Sequence, residues 1–221
     1  MRSDPIEYDK RFALGAGASD AGCTIDRTWL LLPTGRVVAT DPLGGPYDEP
    51  PAPFVQAVPA GRYRVDLLMM DGLVAAARLC VRDERAATWE EALPGSLRDG
   101  DPEVAGYDVN AGAGCFTDEQ TFRQLREESD SGWKLTLLED LAWLRDGPTV
   151  IPRCEVDGCS GDEGDENVLV AFASGEGDGT YRTWVGRTRH GEITCFVTDF
   201  LLSDAEAVPR AGQHLTEPAP S

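Results

Sequence analysis

The sequence predicts an α+β domain of mainly antiparallel strands, sandwich-like and rich in hairpins, with two or three helices inserted in the middle of the chain. Three observations carry this expectation. Short apolar runs bounded by turn residues recur in the first and last thirds, as strands joined by hairpins require. An Asp-Gly pair at 71–72 divides two such runs, and this pair suits a type I′ turn. Apolar residues at helical spacing are confined to the stretch between about residues 85 and 147.

"TWLLLPTGRVVATDPL" holds two apolar runs separated by Pro33, Thr34 and Gly35, which predicts strands near 28–32 and 36–40 joined as a hairpin. "PLGGPYDEPPAPF" is too rich in proline and glycine for regular structure and is expected to be a surface loop. In "GRYRVDLLMMDGLVAAARLCVRD" a two-residue turn at Asp71-Gly72 sets Met69 opposite Val74, Leu67 opposite Ala76 and Tyr63 opposite Cys80, and these six residues are expected to line the core. "ATWEEAL" is read as a short helical turn stopped by Pro94 and Gly95. "CFTDEQTFRQLREESD" predicts a helix with a capping box of Thr117 and Gln120, Asp118 and Glu119 facing the positive end of its dipole, and Phe122, Leu125 and Cys115 turned inward. Leu137, Leu138, Leu141 and Leu144 predict another helix, stopped by Gly147 and Pro148.

From Cys154 to Thr180 there are eight acidic residues and no basic one, and "CSGDEGDEN" at the centre reads as a flexible acidic loop. It lacks the alternating ligands of an EF-hand. "NVLVAFAS" follows as a strand. "YRTWVGRT" and "EITCFVTDFLL" then form a hairpin turning at "RHG", the last strand apolar on both faces and so expected at the centre of a sheet. One domain is assigned to residues 1–204 and a flexible tail to 205–221.

Composition bounds the function. With 20 basic and 39 acidic residues the formal charge is −19, which repels a phosphate backbone, so nucleic acid is not an expected partner; the acidity either serves solubility or, as the sharper alternative, engages a basic protein. No basic patch is visible along the chain. No apolar run of membrane-spanning length and no secretory leader are present, so a cytoplasmic protein without membrane contact is expected. The six cysteines are scattered; "CEVDGC" is not a Cys-x-x-Cys pair, and with His190 and His214 alone the ligands of a structural zinc site are lacking. No metal and no cofactor are assigned.

The blocks "LPTGRVVATDPL", "VPAGRYRVDLLMM" before "VAAARLCV", "YDVNAGAGCFTDE" and "SGEGDGTYRTWVGRTRHGEITCFVTDF" together resemble the bacterial family known as domain of unknown function 4241. The resemblance spans most of the chain and implies no activity. It does imply two signature loops. One resembles an Asp-Ala-Gly-Thr-Gly pattern followed by an aspartate; Asn110 and Ala113 stand here for its aspartate and threonine, and Asp118 is retained. The other resembles Gly-Asp-Gly-x-Tyr and is intact as Gly177, Asp178, Gly179 and Tyr181.

The ligand-binding candidates are therefore Asn110, Asp118, Asp178, Tyr181 and Trp184. Were Asp118 and Asp178 to converge, they would hold a divalent cation or supply an acid and a base for hydrolysis. Capping and turn formation account for both residues equally well. Cys115 precedes a helix but has no histidine suited to activate it, which favours a small buried cysteine. Trp133, Trp143 and Trp184 are read as core or interface anchors. Two functions are thus weighed: a non-enzymatic binding protein, in the form of a toxin-neutralising protein or one that engages a basic partner, and a hydrolase or metal-dependent enzyme using Asp118 and Asp178 in a glycine-rich pocket.

Overall fold

A computed structural model describes residue 12 and residues 23–43, 51–96, 106–127, 148–152 and 166–200. These form two antiparallel sheets and a short helix. The larger sheet takes β1 (Cys23–Leu32), β3 (Gly61–Met70), β4 (Leu73–Cys80), β11 (Ile193–Asp199), β10 (Gly179–Arg187) and β5 (Thr88–Glu91) in that order, with β6 (Tyr107–Val109) also pairing with β10. The smaller sheet has the order β2 (Val37–Thr40), β7 (Ala113–Asp118), β9 (Asn167–Ala173) and β8 (Thr149–Pro152). The helix, α1 (Glu119–Glu127), follows directly on β7.

Period-2 alternation decides what each strand of the larger sheet buries. Leu30 and Leu32 from β1, Val65 and Leu67 from β3, and Leu79, Val185 and Phe196 from its other strands join one core with Val37, Phe116, Leu169 and Phe172 of the smaller sheet. Phe122 and Leu125 of α1 complete that core, as the helical spacing predicts. β11 lies between β4 and β10 with residues 194–199 all buried, in keeping with a central strand.

Several expectations need correction. A single helix is described where two or three are predicted: "ATWEEAL" is the edge strand β5, not a helical turn. Cross-strand charge decides that segment, because Glu90 meets Arg187 at 2.7 Å and Glu91 pairs with Arg182. The helix predicted around Leu137–Leu144, the acidic loop and the tail from 205 lie outside the described residues.

β1 and β2 form no hairpin; they belong to different sheets. The link between them is bent by Gly35, whose φ of 72° favours glycine and where a Cβ would stand 1.8 Å from the Val58 carbonyl oxygen. The β3–β4 hairpin does turn at Asp71 (φ 51°) and Gly72 (φ 79°). Its register starts as expected, with Met69 opposite Val74, and then shifts at a bulge between Leu68 and Met69. Leu67 consequently faces Ala77, and Cys80 faces Arg64 instead of Tyr63. Ala77 and Leu79 thereby enter the main core, while Ala76 turns to a smaller cluster with Leu68, Val197 and Phe12.

Candidate functional site

The two glycine-bearing loops singled out by the sequence lie against each other. Both are corners at which the chain changes sheets. Residues 110–112 carry it from β6, paired with β10, to β7, paired with β9; residues 174–178 carry it from β9 back to β10. Because these four strands pair two by two, the connecting loops must run side by side. The Ser174 amide donates to the Gly112 carbonyl at 3.1 Å, extending the β7–β9 ladder into the loops.

Side chains then fix the pair. Asp178 Oδ1 accepts from the Gly112 amide at 3.1 Å. Ser174 Oγ donates to the Gly177 carbonyl at 2.7 Å, and the Tyr181 hydroxyl, from the buried face of β10, lies 2.7 Å from the same oxygen and 3.1 Å from the Ser174 carbonyl. Tyr181 is itself packed edge-on against Phe200, ring centroids 5.0 Å apart. From the other side Asp41, 1% exposed at the end of β2, accepts from the amides of Asn110 and Ala111 through Oδ2, each at 2.8 Å, and from Leu43 through Oδ1 at 2.8 Å. Such triple acceptance by a buried carboxylate satisfies amides that the corner would otherwise strand. Asp41 is absent from the sequence-derived candidates; its visible signal was a Thr-Asp-Pro at a strand end within a signature block.

Under the loops is a buried polar pair. Gly114 leaves room for Tyr107: a Cβ there would stand 2.5 Å from the Tyr107 hydroxyl. Burial pushes that hydroxyl well above its ordinary pKa, and Cys115, Asp41 and Tyr181 push the same way. Thr198 pushes the other way, but the Thr198 hydroxyl is engaged with Thr183 at 2.8 Å, and Tyr107 Oη meets no hydrogen-bond partner. The Cys115 thiol is wholly buried and held protonated, first by burial and then by the charge of Asp41. Nothing here activates it as a nucleophile, in line with the reading of a small buried cysteine.

Asp118 lies elsewhere. It has no exposed surface, and its carboxylate accepts from the Thr34 amide at 2.9 Å, the Thr34 hydroxyl at 2.8 Å, the Gly35 amide at 3.0 Å and the Gln120 amide at 3.0 Å. The last bond makes Asp118, not Thr117, the N-cap of α1; the Thr117 hydroxyl donates instead to the Val168 carbonyl at 2.8 Å. Asp118 closes β7 and Asp178 holds the residue before it. Extended chain rises roughly 3.3 Å per residue, which puts the length of β7, on the order of 20 Å, between the two carboxylates. They share no ligand.

Asn110 is exposed, its amide held by Asp41. Trp184 is half-buried on the face of β10 opposite Tyr181, and so is not brought to the loops. Asn110, Asp178 and Tyr181 are thus gathered, while Asp118 and Trp184 are not. His190 is exposed in the β10–β11 turn. Among the described residues no group of three or more His, Cys, Asp or Glu side chains is placed to hold a metal ion, and no helix is long and apolar enough to cross a membrane.

The family described as "Protein of unknown function (DUF4241)" matches residues 30–198, from the end of β1 to the end of β11. No curated protein and no solved structure matches the chain.

Proposed function

The chain belongs to the DUF4241 family, and we propose that it is a non-catalytic binding protein that presents the corner of its two signature loops to a basic protein partner. The observation that carries this reading is how the aspartates are used. Asp41, Asp118 and Asp178 all accept backbone amides, so each serves to shape a loop. A general base needs a carboxylate free to take a proton from substrate. What remains facing outward is charge: Asp108, Glu176 and Asp178 are exposed around Asn110, on a chain of formal charge −19. A rigid acidic edge suits a partner rich in arginine or lysine, a basic toxin included, and would speed its capture. The thiols of Cys80 and Cys115 are not bridged, which suits a reducing compartment such as the cytoplasm.

The test is a titration of the full chain with a fluorescent oligoarginine peptide, at low and physiological salt. The triple substitution Asp108→Asn, Glu176→Gln, Asp178→Asn removes the outward charge and leaves an acceptor for the Gly112 amide. It is expected to weaken binding about tenfold, the loss being largest at low salt. An unchanged affinity would place the basic partner elsewhere and sink the proposal.

A further inference from the structure

The six cysteines are scattered along the chain, yet the larger sheet sets two of them side by side. Pairing of β11 with β4 puts Cys195 directly opposite Cys80. Next to this pair the Val81 amide donates to the Thr194 carbonyl at 2.8 Å, and at the other end of the pairing the Phe200 amide donates to the Ala75 carbonyl at 3.0 Å. Antiparallel ladders alternate between hydrogen-bonded and non-hydrogen-bonded pairs, and counting from either bond makes Cys80 and Cys195 one of the latter. In such pairs the Cα atoms stand about 4.5 Å apart and the side chains lie closest. Disulfides span Cα separations of about 4.4–6.8 Å, so this backbone is already set for a bridge.

Both side chains point away from the main core. Cys195 belongs to the smaller cluster with Phe12, Leu68 and Val197. Cys80 is partly exposed; its thiol donates to Asp66 Oδ2 at 3.4 Å and accepts from Arg64 Nη2 at 3.6 Å. Asp66, which is buried, also meets Arg78 at 2.8 Å and Arg27 at 3.4 Å. The two cysteines line one cleft with Arg82 and Thr194, which gives a small oxidant a common approach to both. Cys115 is placed differently, in the smaller sheet, where its cross-strand neighbours are Thr40 and Ala171.

We propose that Cys80 and Cys195 form a reversible disulfide when the chain meets hydrogen peroxide. The Cys80 sulfur attacks one peroxide oxygen, the O–O bond breaks, and the departing hydroxide takes the thiol proton as water, leaving a sulfenic acid on Cys80. The Cys195 sulfur then attacks the Cys80 sulfur, the S–O bond breaks, and the hydroxide leaves with the Cys195 proton as a second water. Two thiols and one hydrogen peroxide thus give one disulfide and two waters, with two electrons passing from the sulfurs to the peroxide. Asp66 and Cys195 lie on opposite sides of β4, so closing the bridge turns the Cys80 side chain about χ1 and releases its contact with Asp66. Burial raises the Cys80 pKa against the pull of Arg78 and Arg64, which keeps the thiolate scarce at neutral pH and makes the bridge form slowly, over minutes to hours. The pair lies on the larger sheet alone and is independent of the loop corner.

Peptide mapping of the full chain tests this. The protein is incubated with a small molar excess of hydrogen peroxide, alkylated, and digested with trypsin without reductant. Cleavage after arginine isolates Cys80 in Leu79–Arg82 and Cys195 in His190–Arg210. The expected product is these two peptides joined, lighter by two hydrogens than their sum and separated again by dithiothreitol. Cys195→Ser is expected to stop the reaction at the Cys80 sulfenic acid, trapped by dimedone. Cys80 bridged instead to Cys23, Cys154 or Cys159 overturns the proposal. So does the absence of the bridge after treatment with both peroxide and the thiol oxidant diamide, or a bridge between Cys80 and Cys195 that appears only in denaturing urea.

Discussion

Replacing Asp118 by alanine is expected to destabilise the junction between the sheets while leaving the loop corner without a role in the effect. The carboxylate serves four donors: the Thr34 amide and hydroxyl, the Gly35 amide and the Gln120 amide. Alanine removes both acceptor oxygens. The Thr34, Gly35 and Gln120 amides then all lose the acceptor that holds them. The helix cap is worth about 1 kcal/mol. A buried amide stranded without an acceptor, as at Gly35, costs about 1–3 kcal/mol, and the partly exposed Thr34 about 1 more. The sum is about 3–5 kcal/mol, a large share of the roughly 5–15 kcal/mol that holds a domain together. With a urea m-value of about 2 kcal/mol/M, the midpoint should fall by about 1.5–2.5 M. Urea denaturation followed by far-ultraviolet circular dichroism reads it directly. A midpoint within about 0.3 M of the wild type would refute the reasoning, because a carboxylate engaged as described cannot be lost at so small a cost. A purely catalytic Asp118 would give that opposite result.

Gly114→Ala is expected to cost about 1–3 kcal/mol by driving a methyl into the Tyr107 hydroxyl, and Tyr107→Phe, which deletes that unpartnered oxygen, is expected to be neutral alone and to recover part of the loss in the double variant. Additive effects in a thermal-denaturation cycle would mean that the two side chains do not meet. Alkaline pH should destabilise the protein through Cys115: its folded pKa is raised, the unfolded thiol ionises near pH 8.5, and stability therefore falls by about 1.4 kcal/mol per pH unit above that value. Tyr107, raised likewise, joins above about pH 10. Cys115→Ala should flatten the slope by about that amount between pH 9 and 10 in urea midpoints, on top of a pH-independent cavity cost; an unchanged slope would show that the thiol ionises in the native state.

The parts of the fold legible in the sequence are those fixed within a few residues. The Asp71-Gly72 turn, the β10–β11 hairpin and the inward stripe of α1 each follow from a local pattern. What escaped was set by partners far along the chain. Pro33-Thr34-Gly35 has the composition of a hairpin turn, yet Asp118, eighty-three residues from Gly35, holds the turn open toward a second sheet. "ATWEEAL" lacks β-branched residues apart from Thr88 and has helical spacing, but arginines on β10 draw it into a strand. The bulge at Leu68 moved the hairpin register by one residue, and nothing local to that apolar run announces it.

The same distinction separates the loop corner from the arginines gathered around Asp66. Glycines and aspartates at 110–114 and 174–179 are contiguous, so a reader of the chain finds both loops, though not that Asp41 braces one of them. The arginines around Asp66 are single residues on β1, β3 and β4, and none forms a basic run. Antiparallel pairing alone brings them into adjacent rows, around a carboxylate that the same pairing buries. Net charge is a sum over the surface, whereas a binding site is a local excess. A chain of −19 therefore says little about local charge where three strands align their arginines on one aspartate.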